Sequence, residues 1–171
     1  MAVFTEISHA EASALVERLA VGRLTRLEPC SGGIENTNYF LDTNAGCFVL
    51  TVFERLTFEQ LPFYLQLMKH LALRQIPVPE PHADQAGALL HRLCGKPAAL
   101  VGRLDGRHNM SPEATHCASV GAMLARMHLA GQDFPMHQPN LRGLAWWQET
   151  VPLVLGFLPP AQAELIEAEL A

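Results

Sequence analysis

Ser31-Gly32-Gly33-Ile34-Glu35-Asn36-Thr37-Asn38-Tyr39-Phe40, followed closely by Phe48-Val49-Leu50-Thr51-Val52-Phe53-Glu54, decides how the chain folds. Leu24 to Cys30, Tyr39 to Thr43 and Cys47 to Phe53 are short runs with β-prone composition, which predicts three consecutive strands. The gap Asn44-Ala45-Gly46 has hairpin length, with Asn44 and Gly46 both able to take positive φ. The gap beginning at Ser31-Gly32-Gly33 is longer, and richer in glycine and asparagine, than a simple hairpin requires.

Phosphate recognition by backbone N–H groups needs close approach, which favours residues without a bulky Cβ or with access to positive φ. Gly32 and Gly33 supply that access, Asn36 and Asn38 tolerate left-handed geometry, and Ser31 and Thr37 add hydroxyls. Taken alone, the same residues also make an ordinary hairpin.

Outward from this stretch, Ser8-His9-Ala10-Glu11 has the form of a capping box, and Ala12, Leu15, Val16 and Leu19 follow at helical spacing, with Gly22 expected to close the helix. Thr57 to Gln60 repeats the capping pattern before a helix whose apolar face is Leu61, Tyr64, Leu65, Met68, Leu71 and Ala72. Ile76 to Pro81 is forced into an extended path by its prolines. Ala88 to Leu93 and Pro97 to Leu104 are two more β-prone stretches. Beyond Asp105 the composition turns helical. Ser111-Pro112 is the expected start of a helix with Cys117, Val120, Gly121, Leu124 and Met127 as its buried stripe, stopped by Gly131. A segment around Trp146-Trp147 and a helix over 161–171 complete the chain. No capping glycine follows Leu170, so truncation is expected there.

Composition narrows the class. The 171 residues are 49% hydrophobic and 17% charged, with a net charge of −5 and a pI near 5.9. Such a chain is neither disordered nor a general nucleic-acid binder. No apolar run reaches transmembrane length, and Glu6, His9 and Glu11 stand where a signal peptide would need its apolar stretch. A soluble, cytoplasmic chain is therefore expected. The twelve basic residues include only two lysines, Lys69 and Lys96. Cys30, Cys47, Cys94 and Cys117 form no C-x-x-C pattern and read as small buried residues or free thiols.

The order of elements, together with Ser31 to Phe40, Phe48 to Glu54, Ile76-Pro77-Val78-Pro79, Gly95 to Val101 and Arg142-Gly143-Leu144-Ala145-Trp146-Trp147, resembles the bacterial homoserine kinases of the aminoglycoside and choline phosphotransferase superfamily. The resemblance runs from about Val3 to the last residue. It implies an α+β, protein-kinase-like small lobe over 1–104, a five-stranded antiparallel sheet plus a helix, and the beginning of a helical large lobe over 105–171. It also implies ATP and Mg as cofactors and phosphorylation of the L-homoserine hydroxyl in threonine biosynthesis. Ser31, Gly32, Gly33, Asn36, Thr37 and Asn38 would then lie on the phosphates. Val101 would stand at the back of the adenine pocket, with Gly102, Arg103 and Leu104 along the hinge. On the residues alone, the Pro97 to Leu104 run is equally an edge strand before a turn.

The pattern has departures. Thr51 stands where a kinase strand carries its phosphate-binding lysine. His82-Ala83-Asp84 matches the first positions of a catalytic loop, but Leu89 occupies the asparagine position and the triplet lies between strands; it reads as a turn. No catalytic residue and no metal ligand is assigned, because both elements in this family lie beyond the final helix. His108, His116 and His128 lack metal-ligand spacing. Two alternatives stay open: transfer to another small alcohol or an aminoglycoside, and a non-catalytic fragment that binds nucleotide or self-associates. Uncovered apolar faces on the 111–131 helix and the final helix predict a homo-oligomer.

Overall fold

The computed structural model describes residues 3–31, 34–107 and 109–170. The fold is α+β. Strands β1 (Leu24–Pro29), β2 (Asn36–Thr43), β3 (Cys47–Phe53), β4 (His91–Leu93) and β5 (Lys96–Gly102) form one sheet in the order β1-β2-β3-β5-β4. Every paired neighbour in it is antiparallel. The helices are α1 (His9–Arg18), α2 (Leu61–Leu73), α3 (Ala114–Gly131), α4 (Leu144–Val154) and α5 (Pro160–Leu170).

β3 has the expected bounds, whereas β2 begins at Asn36, three residues ahead of Tyr39. Asn36, Thr37 and Asn38 pair with Phe53, Val52 and Thr51. They are therefore strand residues, and the ladder's backbone hydrogen bonds outweigh the low β-propensity of asparagine.

Alternation along the strands then sorts the side chains. Thr37, Tyr39, Leu41, Phe48, Leu50, Val52, Ala98 and Leu100 are buried on one face. Ala12, Leu15, Val16 and Leu19, from α1 and its C-cap, pack there and complete the main core. The other face is covered in part by α2, where Leu65 and Met68 meet Ala99, Phe53, Leu89 and Leu90.

The Ser8–Glu11 capping box forms as expected. The helix nevertheless ends at Arg18, with Ala20 taking the left-handed turn at φ 53°. Gly22 has a different task at φ +102°: a Cβ there would stand 2.5 Å from Asn44 Oδ1, in the β2–β3 turn. Neither Asn44 nor Gly46 takes positive φ. The Thr43 hydroxyl holds that turn instead, accepting from the Ala45 and Gly46 amides at 3.1 Å each and donating to the Val21 carbonyl at 2.7 Å.

In α2, Pro62 sits in the first turn, where its missing N–H costs nothing. α3 starts two residues later than expected, with Glu113 instead of Ser111 as the cap and the Glu113 amide donating to His116 Nδ1 at 3.0 Å. The stripe on α3 is present but no residue of the helix is buried: Val120 is 59% and Leu124 47% exposed. α3 meets α2 through His70 Nε2, 2.9 Å from the Ala130 carbonyl oxygen, while Asp133 and Phe134, just past α3, add an ion pair to Arg74, just past α2, and a ring contact to Phe63.

The chain groups into two compact units, Met1–Met136 and His137–Ala171. Within the second, Trp146 and Trp147 meet edge to face at 5.3 Å, and Leu144, Trp147, Leu158, Leu165 and Ile166 line an apolar groove. All four cysteines are free thiols; Cys47, Cys94 and Cys117 are exposed instead of buried. Among the described residues no helix is long and apolar enough to cross a membrane.

The closed face carries the stability. Leu50→Ala, at a fully buried position, is expected to cost about 2–5 kcal/mol. Leu124→Ala on the open stripe of α3 should change stability by no more than ~0.5 kcal/mol. Urea unfolding midpoints test the contrast, and equal losses would contradict it.

Candidate functional site

Cross-strand pairing arranges the open face in rows. At the loop end, Asn36 faces Phe53. Next come Asn38, Thr51 and Ala99, then Phe40, Val49 and Val101. Asp42 and Cys47 close the series, extended by the Arg103 amide donating to the Cys47 carbonyl at 3.1 Å. The face thus runs from amides and a hydroxyl, through an apolar middle, to a charged end. Asn38, Phe40, Val49 and Thr51 are half-buried, so this strip remains accessible beside the part that α2 covers.

At the loop end the Thr51 hydroxyl donates to Asn38 Oδ1 at 2.7 Å, and Asn38 Nδ2 donates to the Asn36 carbonyl at 3.4 Å. Ser31 is exposed. Gly32 and Gly33, expected on the phosphates, lie outside the described residues, as does His108.

Thr37 alternates to the other face and is fully buried. Its hydroxyl accepts from the Phe4 and Thr5 amides at 2.9 and 3.1 Å and donates to Glu54 Oε1 at 2.6 Å. That fills its hydrogen-bonding capacity within the fold. Glu54 also accepts from the Thr5 hydroxyl at 2.7 Å and pairs with Lys96. Burial by itself would raise the Glu54 carboxyl, but hydrogen bonds from Lys96, Thr37 and Thr5 outweigh it and hold the group below its ordinary range. The network ties the N-terminal segment to the starts of β2 and β5 and the end of β3, directly beside the loop.

At the opposite end, Val101 is buried against Val49 and bridges Pro81. The Gly102 amide donates to the Glu80 carbonyl at 2.9 Å, and the Arg103 amide is taken by Cys47. Of the three expected hinge residues, only Leu104, which is 49% exposed, has an amide with no backbone partner among the described residues. The Arg103 guanidinium lies 3.7 Å from Asp42 Oδ1 and 5.6 Å from the Phe40 ring, and Arg26 holds Asp42 Oδ2 at 3.3 Å.

His82-Ala83-Asp84 is a turn, as expected. Asp84 Oδ1 accepts from the Ala86 and Ala88 amides at 2.9 Å each, and Gly87 takes φ +83°. Among the described residues no three His, Cys, Asp or Glu side chains gather as metal ligands.

Phe40 and Asp42 were not expected at the site, although a two-residue period from Asn38 would have placed them there. The Glu54–Lys96 pair joins residues 42 apart in sequence and leaves no local signal.

A five-stranded antiparallel sheet with α1 closing one face and α2 covering part of the other is the α+β fold of the kinase-like phosphotransferases. Residues 26–171 match the family model described as the phosphotransferase enzyme family. A homoserine kinase of Polaromonas naphthalenivorans is 62% identical over all 171 residues, and one of Paraburkholderia xenovorans is 52% identical over the same span. The chain spans 54% and 52% of their lengths, respectively. A spectinomycin phosphotransferase, solved in complex with ADP and spectinomycin, superposes with TM-score 0.65 at 12% identity, covering 88% of this chain and 47% of its own. The chain belongs to the phosphotransferase enzyme family.

The Glu54 network makes stability depend on acid. A carboxyl held below its unfolded value of about 4.5 contributes fully above that pH and loses its contribution as pH falls through the folded value. Urea midpoints between pH 3 and 7 (roughly the window that linkage selects) should fall on the acid side for the wild type. Glu54→Gln should flatten that decline; an unchanged slope would remove Glu54 as its source.

Proposed function

We propose that this chain binds ATP on the open face of its sheet, and that the whole protein transfers the γ-phosphoryl group of ATP to the L-homoserine hydroxyl, a step of threonine biosynthesis in the cytoplasm. The observation that supports nucleotide binding is the graded face itself. A planar base suits the apolar row of Phe40, Val49 and Val101, and phosphate oxygens suit the amide row at the loop end. In this reading Ser31, Gly32, Gly33, Asn36 and Asn38 serve the phosphates. Thr37 serves the loop indirectly, because its hydroxyl is already saturated. Val101 backs the adenine, Gly102 and Arg103 shape the hinge, and Leu104 offers an amide that has no backbone partner among the described residues. The lobe boundary falls near Asp105, after β5.

Magnesium, bound with the nucleotide phosphates, would neutralise their charge. None of the residues described here is assigned as its ligand. Homoserine as acceptor is supported by the two relatives named homoserine kinases, 62% and 52% identical to this chain. A different small alcohol or an aminoglycoside is the second reading, suggested by the acceptor of the spectinomycin phosphotransferase that shares the fold. Positioning and electrostatics carry this class of reaction, and Asp42, the carboxylate at the end of the open face, is paired with Arg26 and Arg103.

Titration calorimetry of the 171-residue chain with ADP should show saturable binding; no heat up to millimolar ADP would contradict the reading. ADP release from Mg-ATP by the same chain should not increase when L-homoserine is added. A homoserine-dependent increase would mean that a base lies within these residues, with Asp84 and Asp105 the first to substitute.

A second copy of the chain is the proposed occupant of the exposed α3 stripe, where Ala118, Gly121, Ala122 and Ala125 permit close backbone approach. Sedimentation velocity should show a dimer or larger species, weakened by Leu124→Glu. A monomer at high concentration would contradict self-association.

A further inference from the structure

The missing strand lysine leaves a question of which group meets the phosphate beside β3. Both lysines are committed elsewhere: Lys96 pairs with Glu54 and Lys69 with Glu80. Arg26 and Arg103 are held by Asp42 at the other end of the face. The loop-end row pairs Asn36 with Phe53, and the row after it holds Asn38, Thr51 and Ala99, with no cation in either.

Resting on the nucleotide reading above, we propose that the Asn38 carboxamide, locked in one orientation by Thr51, donates to a phosphate oxygen where a kinase strand would use lysine.

Two contacts fix the orientation. The Thr51 hydroxyl donates to Asn38 Oδ1 at 2.7 Å. The Asn36 carbonyl, 3.4 Å from Asn38 Nδ2, can only accept, so the nitrogen must be on that side. A flipped amide would set two carbonyl oxygens against each other. One N–H of the amide goes to Asn36 at long range, and the other has no partner among the described residues. Asn38 is half-buried on the open face, so a ligand there can complete its hydrogen bonding. Thr51 is then a positioning residue: it aims the amide without itself meeting the ligand. A neutral donor supplies direction without a full positive charge, and hydrogen bonds to charged groups are among the stronger ones.

The test compares ADP with adenosine by titration calorimetry, since only ADP carries the phosphates. Thr51→Val keeps the β-branched shape and removes the hydroxyl; it should lower ADP affinity about fivefold and leave adenosine unchanged, while Thr51→Ser should restore ADP binding to within about twofold. Asn38→Ala should lower ADP affinity about tenfold, again sparing adenosine. Arg55→Gln, removing the exposed cation just past the end of β3, should have the smaller effect. Wild-type binding of ADP with the ADP-to-adenosine ratio unmoved by Thr51→Val and Asn38→Ala would overturn this proposal and leave the nucleotide reading standing. A wild-type chain that binds neither compound would overturn both.

Discussion

Successive residues of β2, β3 and β5 leave the sheet on opposite sides, so the burial of one set determines which set stays open. Leu41, Leu50, Val52 and Leu100 are fully buried under α1. A one-residue slip would exchange them for Asp42, Thr51, Phe53 and Val101, sending a carboxylate and a hydroxyl into an apolar core. The register is therefore strongly specified, and with it the row order of the open face. The strand part of the candidate site is a consequence of how the core is packed.

The loop end has its own anchor. Thr37 and Tyr39 both receive the N-terminal segment, Thr37 through the Phe4 and Thr5 amides and Tyr39 through the Ile7 amide at 3.1 Å. Glu54 and Lys96 bind the same corner from β3 and the start of β5. The strand that emerges from the glycine-rich loop is thereby fixed on its closed side. Any ligand on its open side meets Asn36 and Asn38 at set positions, which lowers the entropy cost of binding.

What was legible in the sequence was local. The Ser8–Glu11 capping box, the bounds of β3 and the Asp84 turn each depend on residues within a few positions of one another. The start of β2 was not legible, because asparagines that suit a loop become strand residues once Val52 and Phe53 offer partners. Gly22 looked like a helix stop; its need for glycine comes from Asn44, which is brought close only by the β2–β3 turn. The α3 stripe was read correctly as apolar, but burial depends on what covers a face and not on the face itself. Of the candidate face, Asn38 and Val101 could be named from the sequence, while Phe40, Asp42 and the Glu54–Lys96 pair required the sheet to be assembled.

The claim that the open face of the sheet is a nucleotide site is tested most directly by amide chemical-shift mapping of the labelled chain titrated with ADP. The account predicts saturable shifts at Asn38, Phe40, Val49, Thr51, Val101 and Leu104, with α1 and the closed-face residues Leu50 and Leu100 much less affected. Shifts confined to α1, or to the groove between α4 and α5, would contradict it.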